Sequence, residues 1–197
     1  DGYIDKRADN GMLECYYSLY QQNNDMVGWI KIPDTPVDYP VVKYSDNEFY
    51  LHKNFNKEYQ FSGIPFLDYQ SNDESVNKII YAHNMKNGTM FASLADYEDK
   101  SFYDAHKNIM YDTLYDKGEY EIVYAFTTKV GASNEFKYYN YADIESEERF
   151  NEYVTQAKSR SFYDTGVNTV YGDSLITLST CAYHTSNERF VVIARKK

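Results

Sequence analysis

Short apolar and β-branched runs, separated by turn residues, fill most of this chain, and a sustained helical period takes over in two places. Val27 to Ile32 and Val37 to Val42 are predicted strands on either side of Pro33-Asp34-Thr35-Pro36, where two prolines restrict the backbone of a turn. Ile64 to Leu67 and Lys78 to Ala82 follow, and the second of these delivers His83 at its end. Lys107 to Asp112 and Glu119 to Lys129 form a hairpin around Asp116-Lys117-Gly118, with one-face alternation at Tyr120, Ile122, Tyr124 and Phe126. Leu175 to Thr180 and Phe190 to Ala194 are neighbouring strands joined by a short polar loop.

The first helical stripe is Met12, Leu13, Tyr16, Tyr17 and Tyr20, beginning near Asp9 or Asn10 as N-cap and expected to pack on the domain from outside. In the second, Phe150, Tyr153, Val154 and Ala157 recur at i, i+3, i+4 and i+7. Glu145, Glu147 and Glu148 lie toward its start, and Lys158 and Arg160 toward its end, so charge matches the helix dipole at both termini. Ser45-Asp46-Asn47-Glu48 is a capping box ahead of a short helix through Phe49, Tyr50 and Leu51. Lys86-Asn87-Gly88 is a turn, and Met90 to Leu94 a short helix. Most connections suit antiparallel pairing. The expected architecture is mainly β, a barrel or sandwich-like closed sheet with peripheral helices.

Composition narrows the function more than the fold. The 197 residues form one domain by length, and with 9 Gly, 4 Pro and no repeat they contain no linker. A net charge of -10 argues against nucleic acid, which needs clustered Lys and Arg, and against docking to anionic lipid or wall polymer. The 23 Tyr suit a strand-rich domain with partly exposed sheet faces. No apolar run is long enough to span a membrane. No metal-ligand spacing emerges and no cofactor is expected: Asp68, Asp73 and Glu74 read as scattered acidic positions in a solvated loop.

The chemistry concentrates at Cys181. It ends the apolar run Ile176-Thr177-Leu178-Ser179-Thr180, and Arg189 opens the next strand, so in a two-strand reading the two face each other across the loop mouth. A thiol with a pKa near 8.5 is only a few per cent thiolate at neutral pH and becomes a useful nucleophile beside an imidazole or another cation. His83, within Tyr81-Ala82-His83-Asn84-Met85, supplies the imidazole if the fold brings it to Cys181. The other cysteine, Cys15, is expected to pack within its aromatic helical pattern; a disulfide between the two would consume the nucleophile. His52, His106 and His184 have no matching motif, and His184, three residues past Cys181, reads as a surface-loop histidine.

Thr177-Leu178-Ser179-Thr180-Cys181, with His83 about a hundred residues upstream and Arg189 downstream, resembles the sortases, cysteine transpeptidases on the surface of Gram-positive bacteria. The resemblance covers about Val27 to Ala194. It implies catalytic roles for His83, Cys181 and Arg189, and a closed sortase-type barrel. A helix inserted in the long connection before the cysteine strand, together with an N-terminal helix, is similar to class B. On that resemblance residues 1–26 are an N-terminal helical extension and 27–197 the catalytic barrel. Asn47, Leu51 and Tyr139 are then candidates to line the sorting-signal groove, and Ser179 alternates with Leu178 to face it.

The implied reaction cleaves an Asn-Pro-x-Thr signal, followed by Asn or Gly, after its Thr, and passes a surface protein to an amine of a peptidoglycan precursor. The implied place is the outer face of the membrane, held by an N-terminal anchor absent from this sequence. Two alternatives compete. A papain-like hydrolase would place its cysteine near a helix N-terminus, upstream of the histidine. A non-catalytic surface module would not need Cys181, His83 and Arg189 together.

Overall fold

A computed structural model describes residues 5–181 and 187–197, with Cys181 described through its backbone alone. Eight strands close a barrel: β1 (Met26–Lys31), β2 (Asp38–Lys43), β3 (Phe66–Leu67), β4 (Asn77–His83), β5 (Asn108–Thr113), β6 (Glu119–Lys129), β7 (Leu175–Cys181) and β8 (Glu188–Lys196). Around the barrel they run β1-β2-β3-β4-β7-β8-β6-β5. Three helices lie outside: α1 (Glu14–Gln22), α2 (Lys100–Ala105) and α3 (Glu147–Arg160).

Antiparallel pairing dominates, but β2–β3 and β4–β7 are parallel. A parallel pair needs a long crossover, and the connection from β4 to β7 carries α2, β5, β6 and α3. It also brings the C-terminal ends of both strands to one rim, an arrangement that antiparallel pairing of these two strands would not produce.

The barrel interior is filled by alternate strand residues, among them Ile30, Val41, Ile80, Leu178 and Val192. A second apolar layer lies on the outer wall, where Phe150, Tyr153 and Ala157 of α3 cover Ile79, Phe126 and Leu175. Burying each such Phe or Leu contributes about 1.5–3 kcal/mol. α3 begins as its sequence requires, with the Ser146 hydroxyl accepting from Arg149 N and two glutamates in the first turn.

The one-face reading of β6 does not hold. Tyr120 and Ile122 point into the barrel, whereas Tyr124 and Phe126 join the outer layer. The register against β8 shifts between Ile122 and Tyr124. A bulge inserts one residue and moves every later side chain to the opposite face, and here both faces are buried.

Helix starts also differ from expectation. α1 begins at Glu14, with Met12 and Leu13 buried ahead of it. Asn10 does not cap it, because its side chain accepts from Met12 N in a turn of its own, while Leu13 N donates to Leu114 O and Leu13 bridges to Arg7. Cys15 is exposed rather than packed, because the helix turns Tyr16, Leu19 and Tyr20 toward Met26 and Leu114 instead. The capping box is not formed either. Asp46 accepts from Glu48 N and Phe49 N, opening a 3₁₀ turn over Phe49–His52. The 3₁₀ turn after Met90 runs over Ala92–Glu98, and Met90 itself bridges to Asn84. α2 and a 3₁₀ turn over Tyr138–Tyr141 had no expected counterpart.

Candidate active site

β4 and β7 stay in register for seven residues, from Asn77 beside Leu175 to His83 beside Cys181. Neighbouring strands lie about 4.8 Å apart, so the register sets the backbones of the histidine and the cysteine side by side. β8 pairs antiparallel with β7 as far as Ser179 beside Val191. Arg189 lies two residues before Val191 along β8, as Cys181 lies two residues beyond Ser179 along β7, and on its other side it pairs with Thr128 of β6. Three consecutive strands of the barrel thus contribute one residue each to the same rim.

A cavity of about 700 Å³ opens on the outer wall at this rim, lined by His83 and Arg189 at one end and by Asn47, Asp68 and Gln70 on the β3 side. Leu51 and Tyr139 also line it. Ser179 is placed differently. It is fully buried, and its hydroxyl meets the Tyr138 hydroxyl at 2.5 Å, so Tyr138 is the side chain that lines the cavity there. Sequence alternation puts Ser179 on the correct face but does not show what covers it.

His83 is half-buried, and its Nε2 donates to the Leu51 backbone carbonyl at 2.8 Å. A carbonyl only accepts, so Nε2 carries the hydrogen and Nδ1 is the nitrogen that gains or loses a proton. Leu51 therefore supplies a backbone group that sets the histidine tautomer as well as an apolar side chain. Gly63 makes that placement possible: its φ is +57°, and a Cβ there would lie 2.4 Å from the Leu51 carbonyl oxygen. The His52 ring stacks on His83, with centroids 5.3 Å apart, and its Nδ1 donates to the Phe61 carbonyl. Neither Gly63 nor His52 carried a sequence signal beyond residue type.

On the opposite wall, Tyr139 donates to Glu135 Oε1 at 2.8 Å, and Glu135 Oε2 accepts from Gly131 N at 2.9 Å. Those two donors hold the Glu135 carboxyl below its usual value, the Gly131 N–H first, with Arg189 adding to the same direction. Burial, then Glu135, pushes the Tyr139 phenol up to about 12, so it stays a donor throughout the physiological range. The wall rests on a buried polar network: Tyr153 OH meets Thr177 Oγ1 at 2.5 Å, Thr177 donates to Asn77 Oδ1, and Asn77 Nδ2 donates to Tyr141 O.

Of the remaining candidates, His106 lies away from the cavity, donating through Nδ1 to Phe102 O, and His184 falls outside the described residues. Partial desolvation of the Cys15 thiol raises its pKa, opposed by Lys117 and reinforced by Asp112, which makes it a poorer nucleophile than an ordinary thiol. Among the described residues no group of three His, Cys, Asp or Glu is placed to hold a metal ion, and no helix is long and apolar enough to cross a membrane.

A cysteine, an imidazole and a guanidinium are thus carried to one rim of a closed barrel, beside a groove. Residues 30–197 match the sortase domain, so the chain belongs to the sortase family of cysteine transpeptidases. Sortases of class B are among the proteins it is similar to. Sortase B of Listeria monocytogenes is 39% identical over 165 residues, covering 83% of this chain, and the match spans 65% of the Listeria protein's length. The Staphylococcus aureus sortase B–substrate complex superposes with a TM-score of 0.83 at 32% identity, covering 92% of this chain and 84% of that one. A sortase B-like protein from Bacillus anthracis gives 0.87 at 32% identity, covering 98% and 89%.

Proposed function

We propose that this chain is a class B transpeptidase that cleaves an Asn-Pro-x-Thr signal, followed by Asn or Gly, after the Thr and transfers the new carboxyl end to a primary amine. The observation that supports it most is the pairing of His83 with Cys181 on parallel strands, with Arg189 near the start of the next strand. A papain-like reading has no such support, since this cysteine ends a strand.

The signal lies along the groove with its Thr carbonyl at Cys181. The Cys181 thiolate attacks that carbonyl, and Arg189 donates hydrogen bonds to the oxygen as it takes negative charge, a task for which its planar fork suits it better than an ammonium. His83 Nδ1, protonated, gives its proton to the departing amine as the C–N bond breaks, leaving a thioacyl enzyme. Neutral His83 then takes a proton from the incoming amine, which attacks the thioester and releases the thiolate. The Leu51 carbonyl keeps the ring in the orientation both steps need. The acceptor is an amine of a peptidoglycan precursor, with water as a slow substitute. The anchored substrates are surface proteins bearing such a C-terminal signal, and the domain works on the outer face of a Gram-positive membrane, held by an N-terminal anchor.

Turnover of a pentapeptide library varied at the first, third and fifth positions, with triglycine as acceptor and mass detection of the ligated product, tests this. Ligation confined to peptides with Asn first and with Asn or Gly fifth, whatever stands third, is expected. Failure to cleave any such peptide overturns the reading.

A further inference from the structure

The acidic position at Asp68 is not part of a solvated loop. It is only 3% exposed, and it lines the groove. Its Oδ2 accepts from Asn47 Nδ2 and from Tyr81 OH, both at 2.9 Å, and its Oδ1 accepts from Gln70 N at 2.8 Å. Among the described residues no cation pairs with it. A buried carboxylate held only by neutral donors is costly, and two of these donors, Asn47 and Tyr81, themselves line the groove.

Asn47 is fixed at both ends of its amide. Nδ2 donates to Asp68, and Oδ1 accepts from Tyr69 N at 2.9 Å. Flipping the amide would set oxygen against carboxylate and N–H against N–H, so its polarity is locked. One Nδ2 hydrogen and one Oδ1 lone pair remain, a donor beside an acceptor, which is the complement of a carboxamide.

The position along the groove fits the same ligand. Asp68 N bonds to Ile79 O, four residues up β4 from His83, about 13 Å at strand rise. In a peptide whose Thr carbonyl sits at Cys181, the Asn of Asn-Pro-x-Thr lies three residues back, about 10 Å in extended chain.

Resting on the transpeptidase reading, we propose that Asp68 is the positioning residue that sets the first-position specificity of the signal. It orients Asn47 to bind a carboxamide, and its buried charge rejects the isosteric carboxylate. The groove thereby separates Asn from Asp by charge and by amide polarity, where shape alone cannot.

The test compares Asn-Pro-Ala-Thr-Gly with Asp-Pro-Ala-Thr-Gly in wild type and in Asp68→Asn, with triglycine as acceptor. Wild type should favour the Asn peptide by about a hundredfold or more in kcat/KM, and Asp68→Asn should shrink that ratio by about tenfold or more, mostly through KM. An equal loss on both peptides, with the ratio unchanged, would make Asp68 a structural residue and overturn the inference. If Asp68→Asn does not fold, Asn47→Ala decides: with Asp68 in place, Asp-Pro-Ala-Thr-Gly should remain poorer than Ala-Pro-Ala-Thr-Gly, and equal turnover of those two contradicts the charge role. Wild type turning over neither an Asn-first nor an Asp-first peptide defeats the transpeptidase reading itself, a distinct result.

Discussion

On the β4 side of the groove, His83, Asn47 and Tyr81 are held by short-range bonds to the segment between β2 and β4: the Leu51 carbonyl, the Asp68 carboxylate and the Tyr69 amide. On the β6 side, the groove residues Tyr138 and Tyr139 belong to the inserted segment before β7, and they are held by Ser179 and Glu135. In the proposed reading the first wall fixes a proton carrier and a carboxamide-recognition point, and it does so with backbone groups and a buried carboxylate. The second is a cover laid over the outer face of β7, resting on apolar packing and hydroxyl pairs that a conservative substitution can loosen without unfolding the barrel. Groove chemistry should therefore depend steeply on the first wall and on Arg189, and gently on the cover.

The largest effect strikes the first wall directly. His83→Ala should lower kcat/KM by about 10²–10⁴ and flatten a bell-shaped pH profile that belongs to the coupled Cys181 and His83 pair. An unchanged bell in the variant would move the acid–base role elsewhere. Arg189→Lys keeps the charge and loses the fork, so kcat/KM should fall on the order of a hundredfold with little change in melting temperature. Near-normal turnover there would reduce Arg189 to a general electrostatic role.

Gly63→Ala tests the backbone hold at one remove. The added Cβ would meet the Leu51 carbonyl at 2.4 Å from a left-handed backbone, a strain of about 1–3 kcal/mol. Stability should drop by that order, and the His83 limb of the pH profile should shift as its hydrogen bond is displaced. A loss of stability with an unmoved profile would separate Gly63 from the site.

The smallest effect belongs to the cover. Glu135→Gln should raise KM about threefold and leave kcat alone, because the partly exposed carboxylate only steadies Tyr139. Since the folded protein holds this carboxyl below its usual value, its contribution is complete at neutral pH and fades as pH falls through the lowered value. Wild-type KM should rise in that acid range, and the glutamine variant, lacking the titrating group, should not share the rise. Identical acid profiles would end the role given to Glu135 in steadying Tyr139.

The strands at the rim were readable from local pattern alone, and so were the residues near their ends, although β8 runs two residues beyond its expected span at each end. The apolar run into Cys181, the run into His83 and the apolar run after Arg189 each follow from a few adjacent side chains. Their meeting depends on the parallel β4–β7 register, which is a long-range property, and the expectation of antiparallel pairing gave no account of it. The bulge in β6 was invisible because both faces of that strand are buried, so one apolar alternation hides a change of side. Asp68 read as solvated because acidic residues usually are, and only the donors around it reveal otherwise. Cys15 read as packed because its aromatic neighbours are, and a helical stripe leaves one residue's rotation open. The roles of Gly63 and the Leu51 carbonyl reside in backbone geometry, which side-chain identity does not encode.

The central claim is that Cys181 carries the acyl group. Intact mass spectrometry of the protein quenched in acid during turnover of Asn-Pro-Ala-Thr-Gly, followed by peptide mapping, reads it directly. A mass increase equal to the Asn-Pro-Ala-Thr acyl fragment on the peptide holding Cys181, removed by hydroxylamine and absent in a folded Cys181→Ala variant that no longer cleaves, is the predicted result. Cleavage that persists in that variant, or an adduct on Cys15 in its place, would contradict the account.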